Sequence, residues 1–154
     1  MLLKETVLLR LVGLRIPMLL WLGPRVMDVD EEGAAVLVPL GFRSRNHVGS
    51  MYIAAMTAGA DLAAGLNALR LIRSRFPKVV PIFKDARMEF LKLADGDVVF
   101  RSREGRKVAR AMEETVRTGQ RVTLPVEVVA TVPRKYGEEP VARFTLGLSL
   151  KQKA

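Results

Sequence analysis

Between Met51 and Leu71 the chain reads MYIAAMTAGADLAAGLNALRL, a helix-forming run with almost no polar face and Asp61 near its middle. A helix that is apolar all round is buried. Asp61 is therefore expected in the interior or in the wall of a cleft. An ionised carboxylate is costly there without partners, which makes this residue a functional candidate. Upstream, Arg45-Asn46-His47-Val48-Gly49-Ser50 forms a polar, glycine-containing turn that opens the helix. Ser50 is its expected N-cap, and Phe76-Pro77 ends it after about Arg73.

Met1–Leu22 reads as one amphipathic helix, with Leu3, Val7, Leu8, Leu11, Val12 and Leu14 apolar at helical spacing, stopped by Gly23-Pro24. Arg25–Val29 and Ala34–Pro39 are short strands about the acidic turn Asp30-Glu31-Glu32-Gly33. After the buried helix, Val79–Leu93 is strand-like through Ala86, Met88 and Phe90, and Val98–Ser102 starts a further strand. Gly105–Thr118 is an amphipathic helix with Val108, Ala111, Met112 and Val116 on its apolar side, closed by Gly119. Two alternating strands finish the chain. The first turns Val122, Leu124, Val126 and Val128 one way; the second turns Ala142, Phe144, Leu146, Leu148 and Leu150 one way, and Pro133–Pro140 is the loop between them. An antiparallel sheet with one covered face and a helix lying across it satisfies this order, so the fold class is α+β.

At 154 residues the chain suits one domain with a sizeable core. It has no Cys and a single His, His47. Disulfides, thiolate zinc sites and cysteine nucleophiles are excluded, as is a multi-histidine metal site, so no metal is expected. A reducing cytoplasm fits this usage. The net charge of +9 attracts polyanions, but it is dispersed and aromatics are few, which argues against a nucleic-acid partner. Val7–Gly23 is apolar but interrupted by Arg10, Arg15 and Pro17, too short a run to cross a bilayer. No stable membrane insertion is expected; surface attachment through the first helix is the alternative.

Asn46-x-x-Gly49, followed by a small-residue helix carrying Asp61, resembles the hotdog-fold thioesterases of the phenylacetyl-CoA type. The resemblance covers most of Gly23–Leu150, and the added N-terminal helix resembles an uncharacterised branch of the same superfamily. It implies an N-terminal helix over 1–23 and a single hotdog domain over 24–154, with an antiparallel sheet wrapped around the long helix. It also implies acyl-CoA or acyl-carrier thioester hydrolysis, with coenzyme A as part of the substrate and no separate cofactor. Where that family shows His-Gly-Gly at the helix start, this chain has Tyr52-Ile53-Ala54. The side chains of Ile53 and Ala54 narrow the approach to the backbone that glycines would leave open.

Unpaired first-turn amides near Ile53 and Ala54 can polarise a thioester carbonyl, with Asp61 as general base or nucleophile. Ile53 and Asp61 are about 12 Å apart along one helix, too far to serve one carbonyl. The resemblance implies the resolution: a dimer, or a dimer of dimers, in which one subunit supplies the helix start and the other the acid. Asn46 orients water or holds the loop, and Gly49 of the same turn is a candidate contact for the coenzyme A part of the substrate. His47 is a loop residue with a catalytic or a merely exposed role, and Thr57 bonds either Asp61 or its own backbone. Arg73, Arg75, Lys78, Lys84 and Arg87 are candidates for coenzyme A phosphates or solvated surface. Leu19, Leu20 and Trp21 are placed to cap an acyl tunnel, which favours medium or long chains. Two alternatives stand beside hydrolysis: a non-catalytic hotdog protein binding an acyl ligand, and a basic nucleic-acid-binding module.

Overall fold

The long apolar run folds as a helix of 22 residues, Ile53–Ser74, in a computed structural model that describes residues 2–7 and 14–153. The strands are β1 (Arg25–Val29), β2 (Ala34–Val38), β3 (Val79–Phe90), β4 (Val98–Ser102), β5 (Val122–Thr131) and β6 (Pro140–Gln152). The helices are α1 (Pro17–Leu22), α2 (Ile53–Ser74), α3 (Gly105–Thr118) and α4 (Pro133–Tyr136). Among the described residues the strands form one antiparallel sheet in the order β1-β2-β4-β5-β6-β3. The sheet wraps α2: this is the hotdog fold.

Strand alternation sets the register. Leu124, Val126 and Val128 of β5 stand opposite Leu148, Leu146 and Phe144 of β6, so the buried side chains of both strands share one face. That face meets α2 through small residues, among them Ala55, Gly59, Ala60, Ala63 and Ala64. Phe100 of β4 leans on Phe144 at 6.1 Å between ring centroids, and Phe90 meets Phe144 edge-on at 6.1 Å. Gly59 is required where α2 crosses Phe100: a Cβ there would lie 2.2 Å from the ring.

One polar residue breaks the apolar seam. Asn67 is 3% exposed, and neither atom of its amide meets a protein partner. Burying an amide unpaired costs about 1–3 kcal/mol. Asn67→Leu, which keeps the shape, is therefore expected to raise unfolding free energy by about 1–3 kcal/mol in urea titrations. A loss of stability in that variant would contradict the assignment.

Several details differ from the sequence reading. The first helix is not continuous. Residues 3–7 are helical, 14–16 form a turn and bend, and α1 starts afresh at Pro17. Proline lacks the N–H that a helix interior needs and drives the preceding residue out of helical geometry; Ile16 sits at φ −132°, ψ 81°. Leu8, Leu11 and Val12, assigned to the apolar stripe of that helix, lie outside the described residues. Gly23 does close α1, in the left-handed region at φ 62°.

Ser50 is not the N-cap of α2. Met51 N–H donates to Ala94 O (2.8 Å) and Tyr52 N–H to Ser44 O (2.7 Å), which hold the chain extended through Tyr52 and postpone the helix to Ile53. Strand β3 stops at Phe90 rather than Leu93, because Leu91 and Lys92 N–H both turn to Val141 O. In α3 the buried position is Thr115, not Val116; its hydroxyl is satisfied by donating to Ala111 O at 2.8 Å. Pro133–Pro140 is not all loop, since its first turn is α4.

Candidate active site

Asp61 stands on the one stripe of α2 that the sheet does not cover. Ala54, Thr57, Ala58 and Asp61 recur at spacings of three and four, so they share a helix face. That face forms one wall of an open cavity of about 640 Å3. Phe83, Lys84, Asp85 and Ala86 of β3 make the second wall, with Leu146 of β6 behind them, and Ile16, Met18 and Leu19 make the third. Within the second wall β3 carries a bulge. Phe83 pairs with Leu148 and Asp85 with Gly147, which leaves Lys84 as the extra residue.

No side-chain or backbone donor bonds the Asp61 carboxyl among the described residues, and burial pushes its pKa above the ordinary aspartate value. Lys84 lines the same cavity, but its ammonium lies 3.1 Å from Asp85 instead. Thr57 does not serve Asp61 either; its hydroxyl donates to Ile53 O (2.9 Å) and lies 3.2 Å from Met88 Sδ. An apolar pocket with one unpaired, partly buried carboxylate can hold a hydrocarbon chain and take a proton at its base.

The other sequence candidates are dispersed. Asn46 is committed to its own loop: Oδ1 accepts from Val48 N–H (3.0 Å) and Ser50 N–H (3.1 Å), and Nδ2 donates to Ser50 Oγ (2.9 Å). Gly49 completes that loop at φ 83°, a conformation that side chains disfavour. His47 is exposed in the same loop. Ile53 and Ala54 are exposed at the start of α2, where first-turn amides lack helical partners, and only Ala54 reaches the cavity. Arg73 lies in the last turn of α2, about 18 Å along the axis from Asp61. Arg87 opens on the opposite face of the sheet, beside Glu127 and Arg143. Of the predicted set, the fold brings together Asp61, Ala54 and Lys84.

Sequence reasoning missed the β3 wall and the part played by Ile16 and Met18. The signal was present for the former: Lys84-Asp85 interrupts the apolar alternation of β3 where the bulge falls.

The sequence profile of a domain of unknown function, DUF4442, matches residues 4–147. The chain belongs to the DUF4442 family. No curated protein matches it in sequence. Solved structures share the fold of this DUF4442 domain over nearly its whole length. A Pseudomonas aeruginosa protein of unknown function, described as a probable thioesterase, is 21% identical with a TM-score of 0.79, covering 99% of this chain and 97% of its own. A Chlorobaculum tepidum protein of unknown function reaches a TM-score of 0.83 at 11% identity, covering 97% and 95%. A thioesterase from Haemophilus influenzae is 13% identical with a TM-score of 0.66, covering 94% and 90%. At these identities the likeness carries the hotdog fold, a fold found in proteins described as thioesterases.

Proposed function

We propose that this DUF4442 protein is a thioester hydrolase acting on acyl-CoA or an acyl-carrier thioester, with Asp61 as general base. The observation that carries this reading is the Asp61 carboxyl, unpaired and lifted in pKa by burial, in the wall of an apolar cavity of chain-binding size. In the reaction the Asp61 carboxylate takes a proton from water as the water oxygen attacks the thioester carbonyl. The oxyanion is held by first-turn amides of α2, those of Ile53 and Ala54. The carbonyl re-forms, the C–S bond breaks, and the departing thiolate takes the proton from Asp61. Lys84 at the cavity wall is the cation nearest to meet a substrate phosphate.

The proposed assembly is a dimer. Strand β3 is an edge strand of 12 residues with Val80, Ile82, Met88 and Phe90 exposed. A long apolar edge of this kind calls for a partner, and antiparallel pairing with a second β3 about a two-fold axis is the closed solution. Such pairing supports the cross-subunit site that the 12 Å separation demands.

The test is thiol release from a panel of acyl-CoAs by the purified protein, with its mass in solution measured by sedimentation. Turnover by a species of at least two chains is expected; absence of release from every thioester would remove the hydrolase. The acyl-binding alternative is favoured by one observation, the Ile53 side chain standing exposed at the start of α2. It would show as saturable binding of acyl-CoA without release. For the hydrolase, the acid limb of the kcat profile is expected above the usual aspartate pKa of about 3.9, because burial favours the protonated form and only the carboxylate acts as base.

A further inference from the structure

Residues 6–27 and 33–60 contain no Asp or Glu. The acids between them, Asp28, Asp30, Glu31 and Glu32, lie along β1 and in the turn after it, and the turn is about 20 Å from Pro24 at the rise of a strand. The described parts of the acid-free segments, α1 and the loop before α2, meet on one side of the fold. There Arg43 stacks on Trp21 at 5.0 Å and its Nη1 donates to Trp21 O at 3.4 Å, which joins α1 to the loop before α2. Large apolar chains project from this side: Phe42 is 83% exposed, Leu14 68% and Trp21 54%, with Ile16 and Met18 beside them. Arg15, Arg43 and Arg45 are exposed among them. Three acids approach from outside these segments: Asp97, whose Oδ1 accepts Leu40 N–H at 2.9 Å, Asp85, paired with Lys84 at 3.1 Å, and Asp61, in the wall of the cavity that Ile16 and Met18 border.

We propose that this face, α1 with residues 14–16 and the Phe42–Arg45 loop, docks peripherally on an anionic lipid surface. Projecting Trp, Phe and Leu side chains interleaved with arginines match the headgroup boundary: rings and aliphatic chains enter it while guanidinium groups remain at the phosphates. A second copy of the chain fits poorly. A two-fold axis through this face would set Arg15, Arg43 and Arg45 against their own copies, with no acid in either segment to answer them. The dimer proposed above uses β3, on another wall of the cavity. An acidic protein would satisfy the charge, but the apolar chains project rather than line a groove, which favours lipid. Ile16 and Met18 belong both to this face and to the cavity wall, so docking would turn the Asp61 cavity towards acyl chains at the membrane. This last consequence rests on the thioesterase reading; the docking itself does not.

Trp21 is the only tryptophan and serves as the probe. The full chain is mixed with phosphatidylcholine vesicles, with and without roughly one third phosphatidylglycerol, and followed by flotation and Trp21 emission. A blue shift and flotation with the anionic vesicles only, weakened by added salt, are expected. Substituting Arg15, Arg43 and Arg45 together by Gln is expected to lower partitioning about a hundredfold. Phe42→Ser, at a position outside the core, is expected to weaken it with unchanged thermal melting. Binding to neither vesicle, or binding indifferent to all four substitutions, would overturn the proposal. So would retention by an acidic acyl-carrier protein without vesicle binding. Asp61→Asn is expected to bind vesicles as the parent does, so loss of hydrolysis and loss of docking remain separate results.

Discussion

Asp61→Asn is expected to lower kcat for the proposed thioester hydrolysis by about 10²–10⁴-fold, the range for removing a positioned general base, with KM little changed. The amide keeps the shape of the carboxyl and its place in the cavity wall, so acyl binding should survive while the proposed proton acceptor is lost. Stability separates this result from misfolding. Since burial raises the Asp61 pKa in the folded state, ionising it reduces stability as pH rises through and beyond the unfolded value of about 3.9. Asn carries no such cost. The variant should therefore melt no lower than the parent at neutral pH, and any advantage it has should fade below that value, where both states of the parent hold the proton. Hydrolysis persisting in a well-folded Asp61→Asn protein would remove this acid from the mechanism.

The second large effect falls on the fold. Gly59→Ala should destabilise by about 2–3 kcal/mol, although alanine improves helix propensity by about 1 kcal/mol. The added Cβ would lie 2.2–2.6 Å from three atoms of the Phe100 ring. That ring is wholly buried and rests against Phe144, so it cannot withdraw without opening the seam between α2 and the sheet. Gly59→Leu should cost about 4 kcal/mol or more, a large part of the total stability of a domain this size. Phe100→Leu in the Gly59→Ala background should restore part of the loss, measured as a coupling energy in a double-mutant cycle. Additive losses would show that the ring and the glycine do not meet.

The buried helix, its position early in the chain and the alternating strands that follow were legible in the sequence because each is a local pattern. Periodicity states which side of an element is apolar, and a helix apolar all round has to be buried. The same logic singled out Asp61 before any partner was known. Capping and helix continuity were less legible. Ser50 has the composition of an N-cap, yet hydrogen bonds from residues 51 and 52 to Ala94 and Ser44, remote along the chain or across a loop, decide where α2 begins. Pro17 fell inside the helix read over Met1–Leu22, and that it opens α1 instead goes with the docking of Leu19 and Leu22 into the core.

By itself, then, the sequence determined the α+β class, the burial of α2 and the odd carboxylate within it, since these follow from residue types repeating at helix or strand spacing. Only the tertiary structure decided which candidates meet. It gathered Asp61, Ala54 and Lys84 about one cavity, sent Arg73 to the far end of α2 and Arg87 to the other face of the sheet, and spent the Asn46 amide on its own loop. Proximity between elements depends on how the sheet curves, where β3 bulges and which backbone groups pair, and none of these is encoded at a spacing that a local pattern can display.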